Sequence, residues 1–107
     1  MPNHHTLKAW QHAERLAVEC SRVAQHFPDF EQERLADQLR RASYSIPLNI
    51  AEGSARRVQT ALTMANHLGY LEPTSFAKLE ALATETSKTL FGLLRKISLA
   101  ADRPKSR

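Results

Sequence analysis

The stretch Leu39-Arg40-Arg41-Ala42-Ser43-Tyr44-Ser45-Ile46-Pro47-Leu48-Asn49-Ile50-Ala51-Glu52-Gly53 decides the fold. It reads as a helix with a proline inside it. Leu39, Ala42, Ile46, Ile50 and Gly53 recur at helical steps and form one apolar or small stripe that runs straight past Pro47. Proline at that position has no amide to offer the Ser43 carbonyl, and its ring crowds that carbonyl, at a cost of about 3 kcal/mol inside a helix. A chain that keeps its stripe at this cost needs a bend there, or a carbonyl released to another partner.

Working outward, four helical segments can be drawn. The first runs from about Thr6, a suitable N-cap, to Phe27, with Trp10, Ala13, Ala17, Cys20, Ala24 and Phe27 on its apolar face and Leu16 and Val23 widening it. Pro28 and Asp29 break the pattern. The second occupies about Glu31 to Arg57, its stripe opening at Leu35 and Leu39. The third is short, about Val58 to Leu68, and Gly69 supplies a left-handed stop. Pro73 fits the first turn of the fourth, which carries Phe76, Leu79, Ala83, Thr86, Leu90, Leu93 and Ile97 in unbroken steps of three and four. The expected fold is all-α: a single domain over residues 1–107, an antiparallel up-down-up-down four-helix bundle with helix two bent at Pro47.

The helix lengths disagree. At 1.5 Å per residue, helices one, two and four each span roughly 30 to 40 Å, and the third under about 20 Å. Antiparallel neighbours joined by short loops should match. Nor is there room between Arg57 and Val58 for a reversal of direction. A segment of about 15 to 25 residues is therefore expected to be missing between them.

Composition is that of an ordinary soluble domain: 42% hydrophobic, 24% charged and only three glycines, a balance that favours helix over sheet. No apolar run approaches the eighteen or so residues of a membrane span, and Met1-Pro2-Asn3-His4-His5-Thr6 lacks the apolar core of a signal peptide. Cys20 is the only cysteine, which excludes an intrachain disulfide and suits the cytoplasm. The net charge of +4 gathers towards the C-terminus, where Arg95, Lys96, Arg103, Lys105 and Arg107 face Asp102 alone.

Three blocks carry a resemblance: Leu7-Lys8-Ala9-Trp10-Gln11-His12-Ala13, then Leu39-Arg40-Arg41-Ala42 followed by Ser45-Ile46-Pro47-Leu48-Asn49-Ile50-Ala51-Glu52-Gly53, then Leu68-Gly69-Tyr70-Leu71. Together they resemble the four-helix-bundle proteins of the 23S rRNA intervening-sequence family, over nearly the whole chain. The Ser-Ile-Pro-x-Asn-Ile-Ala-Glu-Gly run is the specific part. The resemblance implies a small cytoplasmic bundle without established enzymatic activity that assembles into rings, often pentamers. It also implies kinship with the accessory variability proteins of diversity-generating retroelements, basic pentameric bundles that engage nucleic acid and a reverse transcriptase. This chain departs from the family after Gly53, Ser54 and Arg56, where relatives continue with a loop and the first half of a long third helix.

Candidate chemistry is sparse. His4, His5, His12, His26 and His67 do not pair at metal-binding spacing, no cysteine pair accompanies them, and Gly53, Gly69 and Gly92 form no phosphate loop. No catalytic residue, metal or cofactor is assigned. Cys20 sits on the apolar face of helix one, as a buried small residue does. The polar face of helix two is richer. Arg41, Ser45, Asn49, Glu52 and Arg56 form a stripe beside Pro47, read either as a solvated face or as a contact; Arg41, Ser45, Pro47, Asn49 and Glu52 are the candidate subunit interface. In the expected topology one pole gathers Lys8, Arg56, Arg57, Arg95 and Lys96, with His4, His5 and the tail. These five side chains are the candidate nucleic-acid contacts, against the plainer reading that they offset helix dipoles. The opposite pole has Asp29 and Glu72 and no Lys or Arg.

The leading functional expectation is a non-enzymatic homo-oligomeric module, a pentamer by resemblance, with RNA first among its ligands. The alternative is a cytoplasmic scaffold with a protein partner. A small hydrolase or metalloenzyme comes third, for want of a catalytic constellation.

Overall fold

The computed structural model describes residues 4–49 and 52–101, with side chains described for residues 6–48 and 53–98. Four helices account for most of this: α1 (His4–Ala24), α2 (Leu35–Asn49), α3 (Glu52–His67) and α4 (Pro73–Ala101). A short 3-10 turn, Asp29–Glu31, lies between α1 and α2, and no strand occurs among the described residues. Each helix packs on two neighbours, α1 and α3 each lying against both α2 and α4. The fold is an all-α four-helix bundle.

The stripes read from the sequence form the core. Ala13, Leu16, Cys20 and Ala24 of α1 meet Leu39, Ala42 and Ile46 of α2, Val58, Leu62 and Ala65 of α3, and Leu79, Ala83 and Leu90 of α4. Thr86, a polar member of the α4 seam, is buried, its hydroxyl donating to the Leu82 carbonyl at 2.7 Å and lying 3.3 Å from the His12 carbonyl. Ser43 is buried too and donates to the Arg40 carbonyl at 3.0 Å. Local bonds of this kind let a hydroxyl enter the core without leaving a donor unpaired.

Helix two differs from its expected course. It ends at Asn49, and a new helix begins at Glu52, so residues 52–57 open α3 instead of closing α2. Pro47 lies inside α2, two residues before its end. The buried stripe of α2 is described as far as Ile46; Ile50 lies outside the described residues, and Gly53 is exposed on α3. Arg57 and Val58, the suggested edges of a missing segment, sit side by side within α3. A mismatch of length persists in another form. α2 and α3 have 15 and 16 residues, whereas α1 and α4 have 21 and 29.

The end of the bundle at the α1–α2 and α3–α4 loops is tightly tied. Gln32 Nε2 donates to the carbonyls of Ala24 and Phe27, 2.9 Å each, satisfying acceptors that the end of α1 leaves open. The Arg40 guanidinium reaches back to the Gln32 carbonyl at 2.8 Å and to its side-chain oxygen at 3.2 Å. Across the gap, α3 closes with Gly69 at φ 79°, where the Tyr70 amide bonds the Ala65 carbonyl and the Gly69 amide the Asn66 carbonyl. That turn delivers Tyr70 to the other loop. Its ring lies 5.6 Å from Phe27 and 6.4 Å from Phe30, and its hydroxyl donates to Glu31 Oε2 at 2.9 Å.

Two outcomes follow from this packing. Desolvation first, then the hydrogen bond to Glu31 and its charge, raise the Tyr70 hydroxyl above the ordinary tyrosine value of 10.0. A raised pKa favours the protonated form in the fold, so the stabilisation is complete below pH 10 and is lost as pH rises above it. Urea midpoints across pH 8 to 11.5 should fall for the parent chain and fall less steeply for Tyr70→Phe, which should start lower at pH 8. Parallel curves would contradict the Tyr70–Glu31 contact. Burial, with a smaller contribution from Glu19, pushes the Cys20 thiol up to about 12. A thiol-specific disulfide reagent at pH 8 should therefore label the folded protein at the rate of its opening, and denaturant should accelerate labelling by orders of magnitude.

Candidate basic groove between helices two and three

Because α2 stops short and α3 starts at Glu52, two polar faces read from the sequence as one stripe come to lie on facing helices. Leu35, Gln38, Arg41, Ala42 and Ser45 of α2 and Gly53, Arg56, Arg57, Thr60, Ala61 and Met64 of α3 line a groove of about 580 Å³. Its apolar lining comes from Leu35, Ala42, Ala61 and Met64, and its described lining residues include three arginines and no acidic side chain.

The donors in this lining are guanidinium groups. Arg41 is exposed and pairs through Nε with Asp37 Oδ2 at 2.9 Å, one turn back on α2. Arg56 and Arg57 are exposed and have no ionic partner among the described residues. The hydroxyls beside them are engaged within their own helices, Ser45 donating to the Arg41 carbonyl at 2.8 Å and Thr60 to the Arg56 carbonyl at 3.1 Å. What remains outward-facing is positive charge with fixed fork geometry, suited to carboxylate or phosphate. The volume lies in the range of small-ligand pockets.

The candidate residues divide. Arg41 and Ser45, from the interface set, and Arg56 and Arg57, from the nucleic-acid set, come together in this groove. Lys8 on α1 and Arg95 and Lys96 on α4 are exposed, but no residue of α1 or α4 lines the groove. The single basic pole thus resolves into two groups. Pro47 is half-buried within α2, and the side chains of Asn49, Glu52, His4 and His5 and the tail's Arg103, Lys105 and Arg107 lie outside the described residues. Gln38, Thr60 and Met64 also line the groove and are not among the candidates the sequence singles out. Their signal was present in the sequence, since each lies one turn from a groove arginine or an apolar lining residue, but it becomes legible only once Glu52 opens a new helix.

Other chemistry is limited. His12 Nδ1 lies 3.3 Å from Thr89 Oγ1, tying α1 to α4. No group of three or more His, Cys, Asp or Glu side chains placed to hold a metal occurs among the described residues, and none of the described helices is long and apolar enough to cross a membrane.

No curated protein matches the chain. A family model described as 23S rRNA-intervening sequence protein matches residues 5–60, from the start of α1 into the middle of α3, and so takes in most of the groove. With more than half its length matched, and with the four-helix fold the motifs called for, the chain belongs to the 23S rRNA-intervening sequence protein family.

Proposed function

We propose that this protein is a non-enzymatic, cytoplasmic, self-associating helical module that binds RNA through its phosphates. The observation that carries the reading is the α2–α3 groove, whose described lining holds three arginines, Arg41 paired with Asp37 and Arg56 and Arg57 with no ionic partner among the described residues. Arg41, Arg56 and Arg57 there, and Lys8, Arg95 and Lys96 on α1 and α4, are the phosphate contacts. Guanidinium forks supply bidentate bonds, and contacts of this kind carry little sequence preference. The helices run antiparallel, up-down-up-down, with α2 turning at Pro47. Supporting that order, Tyr44 bonds Ser21 while Gln32 bonds Ala24 and Phe27, and His12 meets Thr89. The five-fold ring implied by the family resemblance sets the Pro47 end of α2, with Asn49 and Glu52, between copies.

One feature favours a protein ligand as the second reading. The lining from Leu35, Ala42, Ala61 and Met64 is apolar and suits the side chains of an acidic amphipathic helix better than a ribose-phosphate chain.

Phosphate contacts release counterions, so RNA affinity should fall linearly with salt on logarithmic axes, by about 0.7 per contacted phosphate on a single strand. Arg56→Gln with Arg57→Gln should reduce that slope by about 1.4 and weaken all sequences alike, and Arg95→Gln with Lys96→Gln should act independently of it. Helix content should be unchanged, since none of these side chains is in the core. A protein that binds no RNA at low salt would end the RNA reading; retention of one acidic protein partner, lost in the Arg56/Arg57 variant, would establish the second.

A further inference from the structure

The α2–α3 groove offers more than phosphates can use. Arg41, Arg56 and Arg57 supply charge, but Leu35, Ala42, Ala61 and Met64 contribute an apolar surface to the same lining. Ala42 and Ala61 are nearly buried, so the groove reaches the edge of the core, and Met64 is 50% exposed. A backbone of ribose and phosphate held by the arginines alone would leave this surface wet. Between the two chemistries stands Gln38, exposed, its side-chain amide without a hydrogen-bond partner among the described residues. An amide offers both a donor and an acceptor, and by turning over it can meet the edge of any base.

Shape narrows the choice of occupant. The lining spans residues 35–45 of α2 and 53–64 of α3, about 15 Å of helix on each side. A volume of about 580 Å³ spread over that length leaves a mean cross-section of about 40 Å², half that of a helix 10 Å across. A planar ring enters such a slot, whereas an amphipathic helix would seat only a few side chains in it. The slot also has an exit. Arg56, Thr60 and Met64 line a second, shallower cleft of about 330 Å³ with Gln59, Thr63 and His67. One arginine shared by two adjoining clefts suits a phosphate that links two residues of a polymer, and a free nucleotide would have no use for the second cleft.

We propose that the groove takes one unpaired nucleotide of an RNA strand, its base against Leu35, Ala42, Ala61 and Met64 and its flanking phosphates on Arg41, Arg56 and Arg57, so that the protein selects single-stranded RNA over duplex. The inference rests on the RNA reading of the groove and adds the state of the RNA to it. A base in a duplex is stacked and paired and would have to leave the helix to enter; an unpaired base enters without that cost. Apolar contact and one adaptable amide favour no particular base, which agrees with recognition carried mainly by phosphates.

Anisotropy of a labelled eight-nucleotide RNA at fixed low salt separates base from phosphate. A stable abasic strand with the same number of phosphates should bind at least about fivefold more weakly, with the same salt slope. A duplex of the same sequence should also bind more weakly than the single strand, although its charge density is higher. Gly53 lines the groove, has no positive φ, and a Cβ placed on it meets nothing within 4 Å. Gly53→Leu should therefore fill the slot, bring the intact strand to the affinity of the abasic one and leave helix content unchanged. Met64→Ser, at an exposed position, should act in the same direction without touching the core. The proposal is overturned by an abasic strand or a duplex that binds as tightly as the intact single strand. Adenosine monophosphate binding as tightly as the strand would overturn it in favour of a free nucleotide, and an acidic amphipathic peptide binding more tightly would overturn it in favour of a protein. RNA binding that ignores the bases leaves the phosphate reading standing and removes only this inference; no RNA binding at all removes both.

Discussion

Pro47 sets the constraint from which the rest of this structure follows. A proline near the end of a helix withholds the amide that the Ser43 carbonyl would take one turn back, and each further turn would have to be built on that defect. α2 goes on for two residues and ends. Because the next helix opens at Glu52, the hairpin of α2 and α3 is short, and its length decides how far α1 and α4 are covered. The tight loops at the other end hold the hairpin in place: Gln32 caps α1, Arg40 grips Gln32, and Tyr70 bridges to Glu31. The molecule is thus anchored at one end and incomplete at the other.

The same break between α2 and α3 creates the groove. Were residues 39–57 one helix, Arg41, Ser45 and Arg56 would form a stripe facing a single direction. With α2 ending at Asn49 and α3 beginning at Glu52, Arg56 and Arg57 line one groove with Arg41 and Ser45, and four cationic or polar groups share it with Leu35, Ala42, Ala61 and Met64. Like charges brought together in this way repel, and solvent screens the repulsion because the side chains are exposed. Asp37 offsets one of them. An anion entering the groove relieves the remaining repulsion while gaining its own contacts, which is why convergence of cations is a better pointer to a ligand than their number.

Much of this was legible in the sequence. The apolar stripes of α1, α3 and α4, the left-handed Gly69, Pro73 at the head of α4 and the burial of Cys20 follow from periodicity and from the properties of glycine and proline. Two things misled. The stripe through Leu39, Ala42 and Ile46 continues in register at Ile50 and Gly53, and periodicity alone cannot tell a bent helix from one that ends and restarts in phase. Trp10 likewise falls on the apolar face of α1 and was placed in the core, yet it is half exposed. Its position on the helix was read correctly. What the sequence does not display is the level at which the neighbouring helix stops, and that level decides whether an inward-facing residue has anything to pack against.

Trp10 and Arg56 illustrate the same lesson from opposite sides. Periodicity assigns each residue a direction around its helix, whereas function depends on which other helix is present at that height. Below the end of the hairpin, a direction towards α2 means burial for Ala17 and Ala24; above it, the same direction leaves Leu7 and Trp10 facing out. For the charged groups the effect runs the other way, since the new start at Glu52 brings Arg56 and Arg57 into one groove with Arg41. One short hairpin therefore produces two surfaces of different chemistry, a cationic groove along its side and an apolar face beyond its end. The groove is built from α2 and α3 and the face chiefly from α1 and α4, so the two surfaces draw on different side chains.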